Sequence, residues 1–179
     1  MNSSGNVMKK LLEPSLYYRM AFYKMAYDYG NTEDQRYHCE IMADDFEYAG
    51  YVETLRGFKE GLDLPRGLVP YTTYWLMDDL STIYGVSRLR HILNDNAKKE
   101  GGHIGYDVPP SLRNQGNATL LLRLTLQKAA EMGIVRVLMT CDCDNLASVR
   151  VIEKCGGVLE NIIVSDFTKK LVNRYWITL

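Results

Sequence analysis

The chain has 179 residues, 46% hydrophobic and 24% charged, with a formal net charge of -1. That length suits one domain with a sizeable core. The near-neutral balance, without a basic block or stripe, excludes an electrostatic footprint for nucleic acid, and no apolar run is long enough to span a membrane.

Residues 1–13 read as a flexible tail and residues 14–179 as a single domain. Met1 to Lys10 lack the apolar centre of a signal peptide, so the expected compartment is the cytoplasm. Pro14 to Tyr29 reads as a helix with Leu16, Met20, Tyr23 and Tyr27 on one face, stopped by Gly30-Asn31. Tyr17, Tyr18, Tyr23 and Tyr27 could shape a ligand pocket or simply fill core. A second helix is expected from about Asp45 to Phe58, with Tyr48, Tyr51, Val52, Leu55 and Phe58 as its stripe. Asp44, Asp45 and Glu47 stand at its start, where acids favour the helix dipole. Two prolines and two glycines make Gly61 to Pro70 a loop.

Strands follow. Tyr71 to Met77 is rich in Thr, Tyr and Trp, which favour strands. Asp78-Asp79 suits a turn, and Thr82 to Leu93 a second strand, with Gly85 as a candidate bulge. Asn94 to Gly102 is polar and loops out. His103 to Val108 is a third strand, ended by Pro109-Pro110, which lack the N–H needed to continue a ladder. A helix from Asn117 to Met132 shows Ala118, Leu122, Leu126 and Ala129 on one face, widened by Leu121 and Ala130 and capped by Gly133. Val135 to Cys141 alternates like a strand, and Asp144 or Asn145 then caps a helix ending at Gly156-Gly157. Val158 to Ser165 and Leu171 to Leu179 complete the chain as a hairpin. Cys141 and Cys143 share one side of their strand. With no partner His nearby, buried free thiols are expected there and a metal site is not.

The segment Val108-Pro109-Pro110-Ser111-Leu112-Arg113-Asn114-Gln115-Gly116-Asn117-Ala118 joins the third strand to the long apolar helix. Such a turn presents unpaired backbone N–H groups at a helix N-terminus, which suits a pyrophosphate. Gly116 lets the backbone approach the anion, and Arg113 adds positive charge.

Arg113-x-x-Gly116-x-Ala118, preceded by Val108-x-Pro110, resembles the acyl-CoA-binding motif of the GNAT superfamily of N-acyltransferases. Asn145 to Gly156, opening with Asn and closing with Glu153-Lys154-Cys155-Gly156, resembles the second GNAT helix. Thr73-Tyr74-Trp75, Gly101-Gly102-His103-Ile104-Gly105-Tyr106 and Cys141-Asp142-x-Asp144-Asn145 are similar to a bacterial group of predicted acetyltransferases without an assigned acceptor. The resemblance covers nearly the whole chain. It implies an α/β (α+β) fold: a central mixed, mostly antiparallel sheet, flanked by about four helices and splayed between two strands. The short opening strand of that fold is hard to find and would lie within Lys9 to Leu12 or Tyr37 to Met42.

The resemblance further implies acetyl-CoA as co-substrate, an amine as acceptor and no metal. It assigns the acyl-CoA site to Tyr106, Val108, Arg113, Asn114, Gln115, Gly116, Asn117, Ala118, Thr119, Asn145 and Ser148. Asn145 would bond the pantetheine arm, though an Asn there also serves as a simple helix cap. Many members carry a proton-donating Tyr seven residues after that Asn, where this chain has Ile152. Ser148 occupies the place of the Ser in ribosomal-protein N-terminal acetyltransferases, where it could bond the departing thiolate or serve only local backbone bonding.

Transfer to an amine needs a neutral nucleophile, a stabilised oxyanion and a tolerable leaving thiolate. One lost oxyanion donor costs roughly 3–4 kcal/mol in other enzymes. By the resemblance that donor is a backbone N–H near Val108, and the pantetheine pairs with Tyr106 to Val108 like an added strand. His103 and Glu160 are candidate bases; His91 reads more simply as a core histidine. No Cys sits where a covalent nucleophile can be argued. The expected activity is therefore direct acetyl transfer to a primary amine. A non-catalytic acyl-CoA-binding sensor or interaction module is the alternative, kept open by Ile152. A nucleotide-binding enzyme is disfavoured by the absence of a Gly-x-x-x-x-Gly-Lys loop and a Gly-x-Gly-x-x-Gly turn. The last strands could pair two subunits as a homodimer.

Overall fold

The computed structural model describes residues 8–30, 32–44, 46–79 and 81–179. Its elements run β1 (Lys10–Leu12), α1 (Arg19–Tyr29), α2 (Arg36–Ile41), α3 (Tyr48–Glu60), β2 (Tyr71–Met77), β3 (Ile83–Arg90), β4 (Ile104–Asp107), α4 (Asn117–Glu131), β5 (Arg136–Asp142), α5 (Leu146–Lys154), β6 (Val158–Val164) and β7 (Leu171–Thr178). Short helical turns at Leu16–Tyr18, Ala97–Gly101 and Pro110–Leu112 fill the connections.

The strands form two antiparallel halves, β1-β2-β3-β4 and β5-β7-β6. The expected splay is thus present, and the division falls between β4 and β5. The halves join where these strands begin: the His103 amide donates to Leu138 O at 2.7 Å, and the Leu138 amide donates to His103 Nδ1 at 2.8 Å. No ladder continues past that joint. Pro109 and Pro110 end β4 soon after, because neither can donate to a neighbouring strand. Gly102 makes the joint feasible. Its φ is +61°, and a Cβ there would stand 2.6 Å from Leu138 O.

Strand alternation sends side chains to two cores. On one face, Trp75, Met77, Ile83 and Val86 pack beneath α1, α2 and α3 through Phe22, Tyr29, Tyr37, Tyr48 and Val52. On the other, Leu89, Ile104, Val137, Met139 and Tyr175 pack beneath α4 and α5 through Leu122, Leu126, Ala129 and Ile152.

Several expectations need correction. Lys10–Leu12, expected in a tail and also a candidate opening strand, form β1 against Trp75–Met77. Tyr37 to Met42, the other candidate, belongs largely to α2, whose Tyr37 is buried. The first helix buries Phe22, Met25, Ala26 and Tyr29, whereas Leu16, Met20 and Tyr27 are exposed. Its apolar residues form two overlapping stripes, and the aromatic one meets Trp75. Helix α3 begins at Tyr48, so Asp44 and Glu47 precede its first turn; Asp45, Asn31 and residues 1–7 lie outside the described residues. Ala130 is exposed and Ala118 only half-buried on α4, where Thr125 is buried instead. Cys141 and Cys143, expected to be buried, are free thiols only half-buried, as is Cys155, and Cys39 is exposed. The expected bulge is present: the register slips between Leu76↔Gly85 and Met77↔Ile83, leaving Tyr84 extra. The closing hairpin forms as β6 and β7. Among the described residues no helix is long and apolar enough to cross a membrane.

Candidate functional site

The turn after β4 is built to leave backbone donors exposed. Pro110–Leu112 form one helical turn, Arg113 is extended, Asn114 has φ 60°, and Gly116 has φ 78° as the N-cap of α4. The first amides of a helix have no intrahelical partner, so Asn117, Ala118 and Thr119 present theirs outward with the positive dipole end. A Cβ on Gly116 would meet no protein atom within 4 Å, which marks open space over the turn. An anion of pyrophosphate shape fits that space by chemistry and by access.

Side chains hold the turn together. Arg113 Nε donates to Val108 O at 3.1 Å, and Gln115 Nε2 donates to Ser111 O at 3.1 Å. The buried Asn117 side chain donates to Leu112 O at 2.8 Å and accepts from Lys9 Nζ at 2.8 Å. Lys9 thus brings a second cation to the start of α4, and burial pulls its pKa below the usual lysine range. Composition placed Lys9 in a tail; only its pairing across 108 residues reveals it. Asp28 takes the Ser111 amide and hydroxyl at 3.0 and 2.9 Å, removing that donor from the cradle.

Asn145 and Ser148 lie at the start of α5. Asn145 Oδ1 accepts the Ser148 amide at 3.1 Å, so the residue does cap its helix, while its amide nitrogen keeps its donor capacity. The Ser148 side chain interacts with the Tyr106 phenol, which burial pushes up to about 12. That phenol oxygen is buried and lacks a partner at hydrogen-bonding geometry. Tyr106 therefore brings its side chain to the start of α5, beside Ser148. Cys141 and Cys155 flank the same place, and burial raises both thiols, Cys141 to about 11.

Two candidate bases are displaced from this centre. His103 Nδ1 accepts the Leu138 amide, so the neutral ring carries its proton on Nε2 and serves as the pin between the sheet halves. Burial also lowers its pKa. Glu160 sits on β6, with β7 between it and β5, and pairs with Arg174 at 2.8 Å. Two strand spacings, about 10 Å, separate it from the opening. His91 bonds Thr72 at 2.8 Å, as a structural histidine would.

Val108 stands at the opening, 7% exposed. Its neighbour Asp107 points to the opposite face, where its carboxylate accepts Tyr29 at 3.0 Å, Tyr37 at 2.9 Å and Arg88 at 2.9 Å. Arg36 lies 3.3 Å away and also binds Asp34 at 2.8 Å. Asp34 in turn approaches Arg113 at 3.7 Å. Alternating charges thus run from the α4 turn to α2 and β3, a link that residues so far apart in sequence did not announce. On that face a cleft of about 630 Å³ is lined by Arg66, Arg90, Glu100, Thr140, Asp142 and Ser165, among others.

Comparison with known proteins agrees with this fold. No curated protein matches the sequence. A microcin self-immunity acetyltransferase, in complex with acetyl-CoA and AMP, superposes with a TM-score of 0.67 at 16% identity, covering 98% of this chain and 94% of that one. The Salmonella typhimurium acetyltransferase that modifies the N-terminal serine of a 50S ribosomal subunit protein gives 0.65 at 17% identity, covering 98% and 96%. Spermidine N-acetyltransferase from Vibrio cholerae, in complex with CoA and spermine, gives 0.63 at 14% identity, covering 95% of each. At these identities the likeness is one of fold. The family model for the acetyltransferase (GNAT) domain matches residues 26–158, which include the α4 turn, the split between β4 and β5, and Asn145. The chain therefore belongs to the GNAT family of N-acetyltransferases.

Proposed function

We propose that the protein transfers an acetyl group from acetyl-CoA directly to a primary amine within a ternary complex. The observation that carries this reading is the open donor cradle at Gly116–Thr119, next to a sheet that parts between β4 and β5. Backbone donors of the cradle, with Arg113 and Lys9, hold the pyrophosphate. Asn145 holds the pantetheine arm, which runs along Tyr106–Val108.

In the reaction the amine nitrogen bonds the acetyl carbon, the carbon–sulfur bond breaks, and the electron pair leaves with sulfur. The amine proton is lost and the thiolate ends as a thiol. Backbone N–H near Val108 faces the developing oxyanion. The hydroxyls of Ser148 and Tyr106 supply donors for the thiolate, in place of the tyrosine that Ile152 replaces. Raised thiol pKa values keep Cys141 and Cys155 protonated near neutrality, which supports direct transfer over a thioester on the enzyme.

Ile152 cannot donate a proton where many relatives carry a Tyr, and this leaves a second reading: an acyl-CoA-binding module without turnover. Calorimetry of acetyl-CoA with wild type and Gly116→Trp, followed by an amine screen for CoA release, separates the two. Binding that disappears in a folded G116W, together with amine-dependent release, supports the transferase. Binding without release on any amine supports the module. No binding by folded wild type would sink both.

A further inference from the structure

Arg88 and Arg90 lie two residues apart on one face of β3, yet their surroundings differ. Arg88 has the Asp107 carboxylate at 2.9 Å. Arg90 pairs with no carboxylate among the described residues; its Nη1 donates to the carbonyls of Gly101 and Gly102 at 2.9 and 3.0 Å. Burial, and then the Arg88 charge, pull its pKa below the ordinary arginine value. A largely buried guanidinium without a counter-charge is costly to maintain.

Arg90 lines the 630 Å³ cleft, a volume suited to a small molecule. The other charges there are partly committed. Glu100 accepts the Ser165 hydroxyl and the Asp166 amide, and Asp142 lies 3.8 Å from Lys170. Thr140 and Asp142 belong to the part of β5 beyond its joint with His103. The cleft therefore borders the β5 edge of the opening through Thr140, Cys141 and Asp142, on the face opposite α4, and an amine extending from it past Thr140 would meet an acyl group held from the α4 side.

We infer that this cleft takes an amine acceptor that also carries a carboxylate, an amino-acid-like small molecule whose carboxylate pairs with Arg90; this rests on the transferase reading above. Arg66, also in the lining of the cleft, adds to the attraction and works against a purely cationic acceptor such as a polyamine.

The test compares kcat/KM for the standard free amino acids, each beside the amine left by its decarboxylation, for wild type and Arg90→Gln. The glutamine side chain retains a donor for the Gly101 and Gly102 carbonyls without the charge. The preferred amino acid should exceed its decarboxylated partner by about tenfold or more. In R90Q that ratio should fall toward one, through KM, with acetyl-CoA binding intact. A wild type that prefers the decarboxylated amines or polyamines overturns the inference while sparing the transferase, as does an R90Q that keeps the ratio. If no amine releases CoA, the transferase reading fails, and thermal-shift binding of N-acetyl amino acids against their primary amides still decides the cleft. Stabilisation by the acids alone, lost in R90Q, supports it; equal shifts with acids and amides overturn it.

Discussion

Arg113 reaches back across Pro109 and Pro110 to donate from Nε to the carbonyl of Val108 at 3.1 Å. The turn proposed to cradle the anion and the strand end at the opening are thereby tied together. Its outer nitrogen approaches Asp34 at 3.7 Å, so the guanidinium is held close to the α4 terminus rather than left mobile.

Arg113→Met should raise the acetyl-CoA dissociation constant about fivefold to tenfold. A charge-assisted bond lost from a buried site costs about 1.5–3 kcal/mol, and screening of a half-exposed side chain reduces that toward about 1 kcal/mol. Calorimetry at two salt concentrations checks this: the wild-type advantage should shrink in high salt. Equal affinity at low salt would show that the backbone donors act without Arg113.

Tyr106→Phe separates folding from chemistry. Its hydroxyl is buried without a well-aligned partner, so removal should leave stability within about 0.5 kcal/mol of wild type or raise it. If Tyr106 and Ser148 assist the thiolate, kcat should fall about tenfold in Y106F and several-fold in Ser148→Ala, the loss of one hydrogen bond of about 1–1.5 kcal/mol when the other hydroxyl remains. Acetyl-CoA affinity should stay constant. Steady-state kinetics of the single and double variants would show less-than-additive losses if the two hydroxyls act as a unit. Unchanged kcat in both would remove them from the reaction.

Much of this was legible because it is local. Tyr71–Met77 carries β-forming residues between turn residues, Pro109-Pro110 ends a strand, and Asn145 caps a helix. What escaped depends on contacts across the chain. Two apolar stripes overlap on α1, and only Trp75 and Tyr37 decide that Phe22 faces inward. A three-residue strand such as Lys10–Leu12 is too short to show a period. His103 reads as a base by residue type until its Nδ1 is seen accepting the Leu138 amide. Arg90 looks like any strand arginine until Asp107 is found to pair with Arg88 instead.

Stability should fall on the alkaline side. Burial, followed by the Asp107 charge, raises the phenols of Tyr29 and Tyr37 far above their ordinary value, and burial lifts Tyr48 to about 12. Between pH 10 and 12 the unfolded chain releases these protons while the native one keeps them, so unfolding becomes easier as pH rises. Urea midpoints should be flat with respect to these groups from pH 7 to about 9 and drop steeply above about 10. Ultraviolet titration should show a late phenolate step, that of the buried tyrosines, coinciding with unfolding. Early ionisation of these tyrosines in a still-folded protein would contradict their burial.

Asp107→Asn should be the most damaging single change on the α1–α3 face. The carboxylate is 8% exposed and is shared by Tyr29, Tyr37 and Arg88, with Arg36 alongside. Removing its charge leaves the Arg88 guanidinium without its counter-ion; breaking a fully buried pair costs about 3–5 kcal/mol, and solvent access to Arg88, 32% exposed, reduces that toward about 2 kcal/mol. Arg36 adds little, because it is nearly half exposed and keeps Asp34. The double variant Asp107→Asn with Arg88→Met removes both charges and should recover part of the loss, since neither is then left uncompensated. Chemical denaturation of the four species yields the coupling directly. A D107N protein within about 1 kcal/mol of wild type would mean that water or Glu40, whose carboxyl interacts with Arg88, replaces the lost partner.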